Sequence, residues 1–147
     1  DVRIGKNCYI GFGAIIRGDY GTIIIGDETA VEEGVTIHAR PMGETTIGER
    51  VTIGHMAMIH NATIHDLAVI GMQAMICDYS EIGRWAIIAE QALVVNRLKV
   101  PAETIYAGSP AKEIGKVQDR HTETWNLAKQ VYVDLTDQYS TSFKQID

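Results

Sequence analysis

The stretch TIGERVTIGHMAMIHNATI, residues 46–64, decides the fold. Ile47, Ile53 and Ile59 recur every six residues, and Gly48 and Gly54 follow the first two. Val51 and Ala57, one β-branched and one small, stand four places after Ile47 and Ile53. Neither a helix nor an ordinary strand has a period of six. A hexapeptide repeat does: each unit is a short strand plus a corner, with the aliphatic side chain inside. The small residue sits where the corner leaves little room. Three units close one triangular coil of 18 residues, and coils stack through strand hydrogen bonds. A single coil cannot bury its own apolar face, so stacking supplies the stability.

Outward from this stretch the pattern runs from Ile4, Ile10 and Ile16 through Ile25, Val31 and Ile37. It continues at Ile64, Ile70, Ile76, Ile82, Ile88, Val94 and Val100. Three phase breaks interrupt it. Ile16 to Ile25 carries a three-residue insertion around YGT (20–22), and Ile37 to Ile47 a four-residue insertion around ARPMGETT (39–46). Ile59 to Ile64 is one residue short. Insertions in a solenoid become loops on one side, often the binding side, and the second directly follows His38. After Val100 the pattern fades through PAETIYAGSPAKEI (101–114). From about Gln118 the period is helical, with Trp125, Ala128, Tyr132, Leu135 and Tyr139 three or four apart. The expected fold is an all-β solenoid, a parallel β-helix over residues 1–115. A C-terminal α-helix within 116–147 packs on it and covers exposed strand edges. The whole forms a single domain.

Composition excludes several functions. A net charge of −6 argues against a nucleic-acid partner, which wants a basic face. No apolar run approaches the roughly 20 residues that span a bilayer, so no membrane partner is expected. Cys8 and Cys77 make no disulfide framework, and a reducing, cytoplasmic setting follows. The chain begins at Asp1, and no signal peptide is visible.

Counting units sorts the histidines. The units at Ile16, Ile37, Ile59, Ile76 and Val94 lie three units apart and stack on one face. The next residues, Arg17, His38, His60, Cys77 and Val95, therefore form an outward column. His38 and His60 sit one coil apart, with roughly 4.8 Å between their strands. Two imidazoles at that spacing can share a metal. His55 belongs to the preceding face, too far round the prism to join them within one chain. A neighbouring copy in a cyclic trimer could supply it, completing the three protein ligands usual at catalytic zinc. Otherwise all three are hydrogen-bonded structural histidines, the reading adopted for His65 on a third face and for His121 at the helix start.

The motifs AIIRGD (14–19), VTIH (35–38), TIGERVTIGHMAMIHNATI (46–64), VIGMQAMI (69–76) and YAGSPAK (106–112) resemble the γ-class carbonic anhydrase family. The resemblance covers about residues 1–115. It implies a left-handed β-helix, a homotrimer and a metal, zinc or else iron or cobalt, held by His38, His55 and His60. In that family the first and third histidines come from one subunit and the middle one from its neighbour. The implied reaction is reversible hydration of carbon dioxide to bicarbonate by a metal-bound hydroxide. Arg17 and Asp19 match the family's Arg-x-Asp motif, and either hold bicarbonate or organise the interface as a salt bridge. Glu33 is the partner of Arg17 by family position.

The chain also departs from the family. TAVEEGVTIH (29–38) has Ala30, Glu32 and Glu33 where the family carries Asn-x-Gln-Asp. Glu32 in place of the glutamine puts a base or fourth ligand near the metal, and its charge raises the pKa of bound water. Tyr20 replaces an acid, and Glu44 is the sole acid of the loop where the family has an acidic proton shuttle. Cys77, one coil above His60, influences metal choice or is inert. Alternatives are an acyl-CoA thioesterase or accessory protein of the same family, as in its phenylacetate and carnitine relatives, or an inactive metal-binding trimer. GSPAKEI (108–114) also resembles the tails of hexapeptide acyltransferases, which use a metal-free histidine base.

Overall fold

The computed structural model describes residues 1–142. Its short strands fall into three sheets in strict rotation. The first sheet stacks Val2–Ile4, Thr22–Ile25, Glu44–Ile47, Thr63–Ile64, Glu81–Ile82 and Lys99–Val100. The second stacks Tyr9–Ile10, Ala30–Val31, Thr52–Ile53, Val69–Ile70, Ile87–Ile88 and Thr104–Ala107. The third stacks Ile15–Arg17, Thr36–His38, Met58–His60, Met75–Ile76 and Leu93–Val94. Each strand pairs in parallel with its counterpart one coil away, about five turns in all.

The six-residue period dictates this directly. Every aliphatic residue of the repeat lies at the end of a strand or, at Ile16, Ile37 and Ile59, one place before it, and those from Ile25 to Val100 are buried. In the third sheet Ile16 lies opposite Ile37, Ile37 opposite Ile59, Ile59 opposite Ile76, and Ile76 opposite Val94. Each fully buried isoleucine is worth roughly 1.5–3 kcal/mol over the exposed state. The small residues four places on, such as Val51, Ala57, Ala74 and Ala92, are buried in the same cluster.

The corners explain the rest of the unit. Except after Ile16, Ile37 and Ile59, where the phase breaks fall, the third residue after the aliphatic turns through the left-handed region, as at Arg50 (φ 50°), Met56 (φ 58°), Gln73 (φ 60°) and Trp85 (φ 57°). Side chains rarely adopt it, and it persists only where the surroundings over-determine it. Here the N–H of that residue donates to a carbonyl of the preceding coil: Arg50 to Asp27, Met56 to Glu33 and Gln73 to His55, each at 2.9 Å. The inter-coil ladder thus continues round the bend. The glycine after the aliphatic answers a different need. A Cβ on Gly71 would come within 2.5 Å of the Glu90 nitrogen in the next coil.

Two expectations are corrected. The repeat does not fade after Val100, because Thr104–Ala107 adds another strand to the second sheet, with Tyr106 opposite Ile88. Tyr106 stands six residues after Val100 and packs against the core, so an aromatic side chain fills the aliphatic slot. Lys112–Lys116 then folds back antiparallel.

The C-terminal helix, Asp119–Ser142, covers a sheet face rather than strand edges. The remainder of the 116–147 segment beyond Ser142 lies outside the described residues. Tyr132 and Tyr139 meet Tyr9, with ring centroids 5.1 and 5.7 Å apart. Lys129 reaches through to Thr52 and Ala68. Beneath the helix the outward residues Ala30, Thr52 and Val69 of the second sheet are as buried as the core. Among the described residues nothing covers the third sheet in this way: Ile15, Met58 and Met75 are 55, 36 and 45% exposed. Among the described residues no helix is long and apolar enough to cross a membrane.

Candidate metal centre

The column places Arg17 opposite His38 and His38 opposite His60 on successive strands. His38 Nδ1 lies 3.1 Å from His60 Nε2, and the ring centroids are 5.1 Å apart. Each imidazole also meets a carboxylate on its far side. His38 Nε2 is 3.2 Å from Asp19 Oδ1, and His60 Nδ1 contacts Asp78 Oδ1. Arg17 lies 3.0 Å from His38 Nε2 and 3.6 Å from Asp19. Desolvation pushes the Asp19 carboxyl up, but the His38 hydrogen bond and the Arg17 charge outweigh it and hold the group below the usual range. Asp78 is buried, and the hydrogen bond from Arg40 is the main cause holding it below that range.

If each outer nitrogen donates its proton to its carboxylate, the two inner nitrogens face each other as lone pairs. That is repulsive unless a proton or a cation lies between them. Two tetrahedral imidazole ligands at 2.0–2.1 Å from zinc stand about 3.3 Å apart, close to the 3.1 Å found. The pair therefore fits a metal. One chain does not complete the set: among its described residues no group of three or more His, Cys, Asp or Glu could hold an ion.

His55 sits in a second cluster. Its Nε2 is 3.1 Å from Glu32 and its Nδ1 2.8 Å from Glu33. Its backbone N–H donates to Glu32 at 3.1 Å, and its carbonyl is fixed by Gln73. Tyr9 donates to Glu33, and that hydrogen bond is the main cause keeping the Glu33 carboxyl below its ordinary range. Glu32 is buried at the edge of the helix. Burial and then a hydrogen bond to Glu32 raise the Tyr132 hydroxyl well above its ordinary range. A cleft of ≈ 220 Å³ between helix and sheet opens beside Glu32, His55, Trp125 and Tyr132. Glu32 thus keeps company with His55, not with His38 and His60 of its own chain. Arg17 faces Asp19 and His38, whereas Glu33 faces Tyr9 and His55.

The remaining candidates separate cleanly. His65 pairs with Glu81 at 3.0 Å on the first sheet, and His121 accepts the Gln118 N–H at 3.0 Å at the helix start. Glu44 begins a first-sheet strand and accepts from Thr46. Cys77 lines a cavity of ≈ 230 Å³ with His60, Met58, Met75 and Asp78. Burial and then the Asp78 charge push its thiol pKa up, so it is a poor thiolate ligand. Asp78 and Arg40 were not singled out by the sequence. The available signal was an acid in the coil above His60 and an arginine in the insertion after His38.

Residues 1–39 match the family model described as hexapeptide repeat of succinyl-transferase. Gamma carbonic anhydrase 2, mitochondrial, of Arabidopsis thaliana is 31% identical over all of this chain. The carnitine operon protein CaiE of Escherichia coli K12 is 32% identical over 92% of this chain and 69% of its own length. The chain belongs to the γ-class carbonic anhydrase family.

Family membership fixes the fold as a left-handed β-helix. A hexapeptide transferase family protein from Anaplasma phagocytophilum superposes with a TM-score of 0.87 at 30% identity, covering 95% of this chain and 82% of that one. A Bacillus cereus protein with a provisional acetyltransferase label gives 0.92 at 34% identity, covering 95% and 81%. The chain spans about half the length of the plant carbonic anhydrases it matches, 56% of one and 46% of another. The relatives of this chain thus include both carbonic anhydrases and proteins with transferase descriptions.

Proposed function

We propose that three copies of this chain form a cyclic homotrimer. In it His38 and His60 of one copy and His55 of the next hold a zinc ion, with iron or cobalt as chemically suitable replacements. We propose further that this centre reversibly hydrates carbon dioxide to bicarbonate. The observation that carries the reading is the division of the histidines into two incomplete clusters on one prism. One of them borders the third sheet, whose outward Ile15, Met58 and Met75 are left exposed by the described residues. A second copy on that face would bury those side chains and bring its own His55 and Glu32 towards the imidazole pair.

A metal held by these histidines would supply Lewis acidity and make a water more acidic, towards a pKa of ~7. The chain supplies the rest. With their outer nitrogens donating to Asp19 and Asp78, the inner nitrogens of His38 and His60 would present lone pairs to the metal. Arg17 offers a guanidinium for the anionic product. Glu32, 3.1 Å from His55 Nε2, would stand beside the metal as a base or as a further ligand. The cavity beside His60 gives a small apolar substrate room between Met58 and Met75. Free Cys8 and Cys77 suit a reducing compartment such as the cytoplasm.

The test is metal analysis of anaerobically purified protein, followed by a CO2 hydration assay. About one metal per chain is expected, with His60→Ala losing metal and activity together. Full metal content in His60→Ala would refute the ligand assignment. The transferase descriptions of the two structural relatives favour a second reading, acyl transfer from a CoA thioester with His60 as a base held by Asp78. Acetyl-CoA turnover that survives chelation would favour it.

A further inference from the structure

We infer that Asp78 is the positioning residue that fixes the tautomer and ring orientation of His60. Arg40, carried by the insertion after His38, clamps Asp78 for that task. His38, His60 and Asp78 lie on three successive coils, and Arg40 spans them. Its Nε donates to Asp78 Oδ2 at 2.8 Å and its Nη2 donates to the same oxygen, leaving Oδ1 for His60 Nδ1.

The loop that delivers Arg40 is itself anchored. The Arg40 backbone N–H donates to Asn61 Oδ1 at 3.2 Å. Asn61, in the left-handed region at φ 48°, donates its own N–H to the His38 carbonyl at 3.0 Å. The Asn61 carbonyl in turn accepts the Tyr79 N–H at 2.8 Å. The neighbours of His60 and Asp78 in sequence thus tie the same coils together that the side chains do. With Nδ1–H committed to a buried carboxylate, His60 keeps Nε2 unprotonated and aimed at His38 Nδ1. A ligand imidazole needs this, because the group on its other nitrogen sets both tautomer and orientation. The four-residue insertion is therefore part of the centre's support.

The affinity arm of this inference rests on the ligand assignment proposed above; the tautomer arm does not. The experiment uses the full chain with ¹⁵N-labelled histidine, comparing wild type, Asp78→Ala, Asp78→Asn and Arg40→Ala. Long-range ¹H–¹⁵N correlation of the metal-free proteins reads the His60 tautomer, and competition with a chelator reads zinc affinity. Wild type should show His60 protonated at Nδ1. Asp78→Ala should lose that signature and bind zinc roughly 10–100-fold more weakly. Asp78→Asn, which keeps an oxygen acceptor, should retain the tautomer, and Arg40→Ala should weaken zinc several-fold. A folded Asp78→Ala protein with His60 still protonated at Nδ1 and unchanged zinc affinity overturns the inference. If that variant does not fold, Arg40→Ala with both readouts unchanged overturns it instead. Wild type that binds no zinc would sink the ligand assignment, while the tautomer would still decide the role of Asp78.

Discussion

The two histidine clusters differ in what builds them. His38 and His60 are brought together by register alone: their strands are paired, so their side chains stack. Their surroundings mix charges, with Asp19 and Asp78 beside Arg17 and Arg40. The His55 cluster is built by side-chain packing at another corner and is acidic, with Glu32 and Glu33 held by Tyr9 and the helix. One cluster lies beside a bare sheet, the other beside a covered one. Each lacks what the other has, a third imidazole on one side and arginines on the other. A prism can therefore carry an unfinished site on one corner and its completing group on another, and leave completion to symmetry.

Mixing variants tests this most sharply. His55→Ala and His60→Ala should each abolish high-affinity metal binding alone. Coexpressed in equal amounts, they should regain about one quarter of the sites, since random cyclic trimers unite an intact pair with an intact His55 at that frequency. No regain on metal analysis would mean that the ligands belong to one chain.

The bare sheet comes next. Met58→Glu with Met75→Glu puts two charges on the face that a second copy is expected to bury. Light scattering should report monomers that keep the β-rich circular dichroism spectrum. An unchanged trimer would move the interface elsewhere.

The covered sheet gives the smallest effect. Lys129 is 2% exposed, its Nζ donating to Thr52 Oγ1 at 3.0 Å and to the Ala68 carbonyl at 3.2 Å. Burial, helped by the Arg50 charge and opposed by Glu32, brings its pKa down to about 7. Between pH 7 and the unfolded value near 10.5 the unfolded chain holds the extra proton, so stability rises with pH across that window. Denaturant melts should show this rise in wild type and lose it in Lys129→Met. Equal slopes would mean that the ammonium is not desolvated beneath the helix.

The columns were legible because the aliphatic period does not depend on what lies between its members. That is why His38 and His60 could be stacked from counting alone. Tyr106 escaped because an aromatic ring fills a slot that an aliphatic pattern does not register. Asp78 escaped because its partner His60 is 18 residues away and meets it only through coil stacking. Lys129 sits on the helix among apolar neighbours, and nothing local distinguishes a buried lysine from a solvated one. The helix's choice of sheet rests on the outward Tyr9, Ala30 and Val69, which carry no period of their own.

The left-handed third slot of the regular corners has a wider consequence. Because the regular bends are closed by the same donor to the coil beneath, the stack behaves like a ruled page on which lines keep their spacing whatever is written in the margin. Extra residues such as those after Ile37 bulge outward without shifting Ile47 from its place above Ile25. Access and support can then be rewritten in such margins while the stacked imidazoles stay in line.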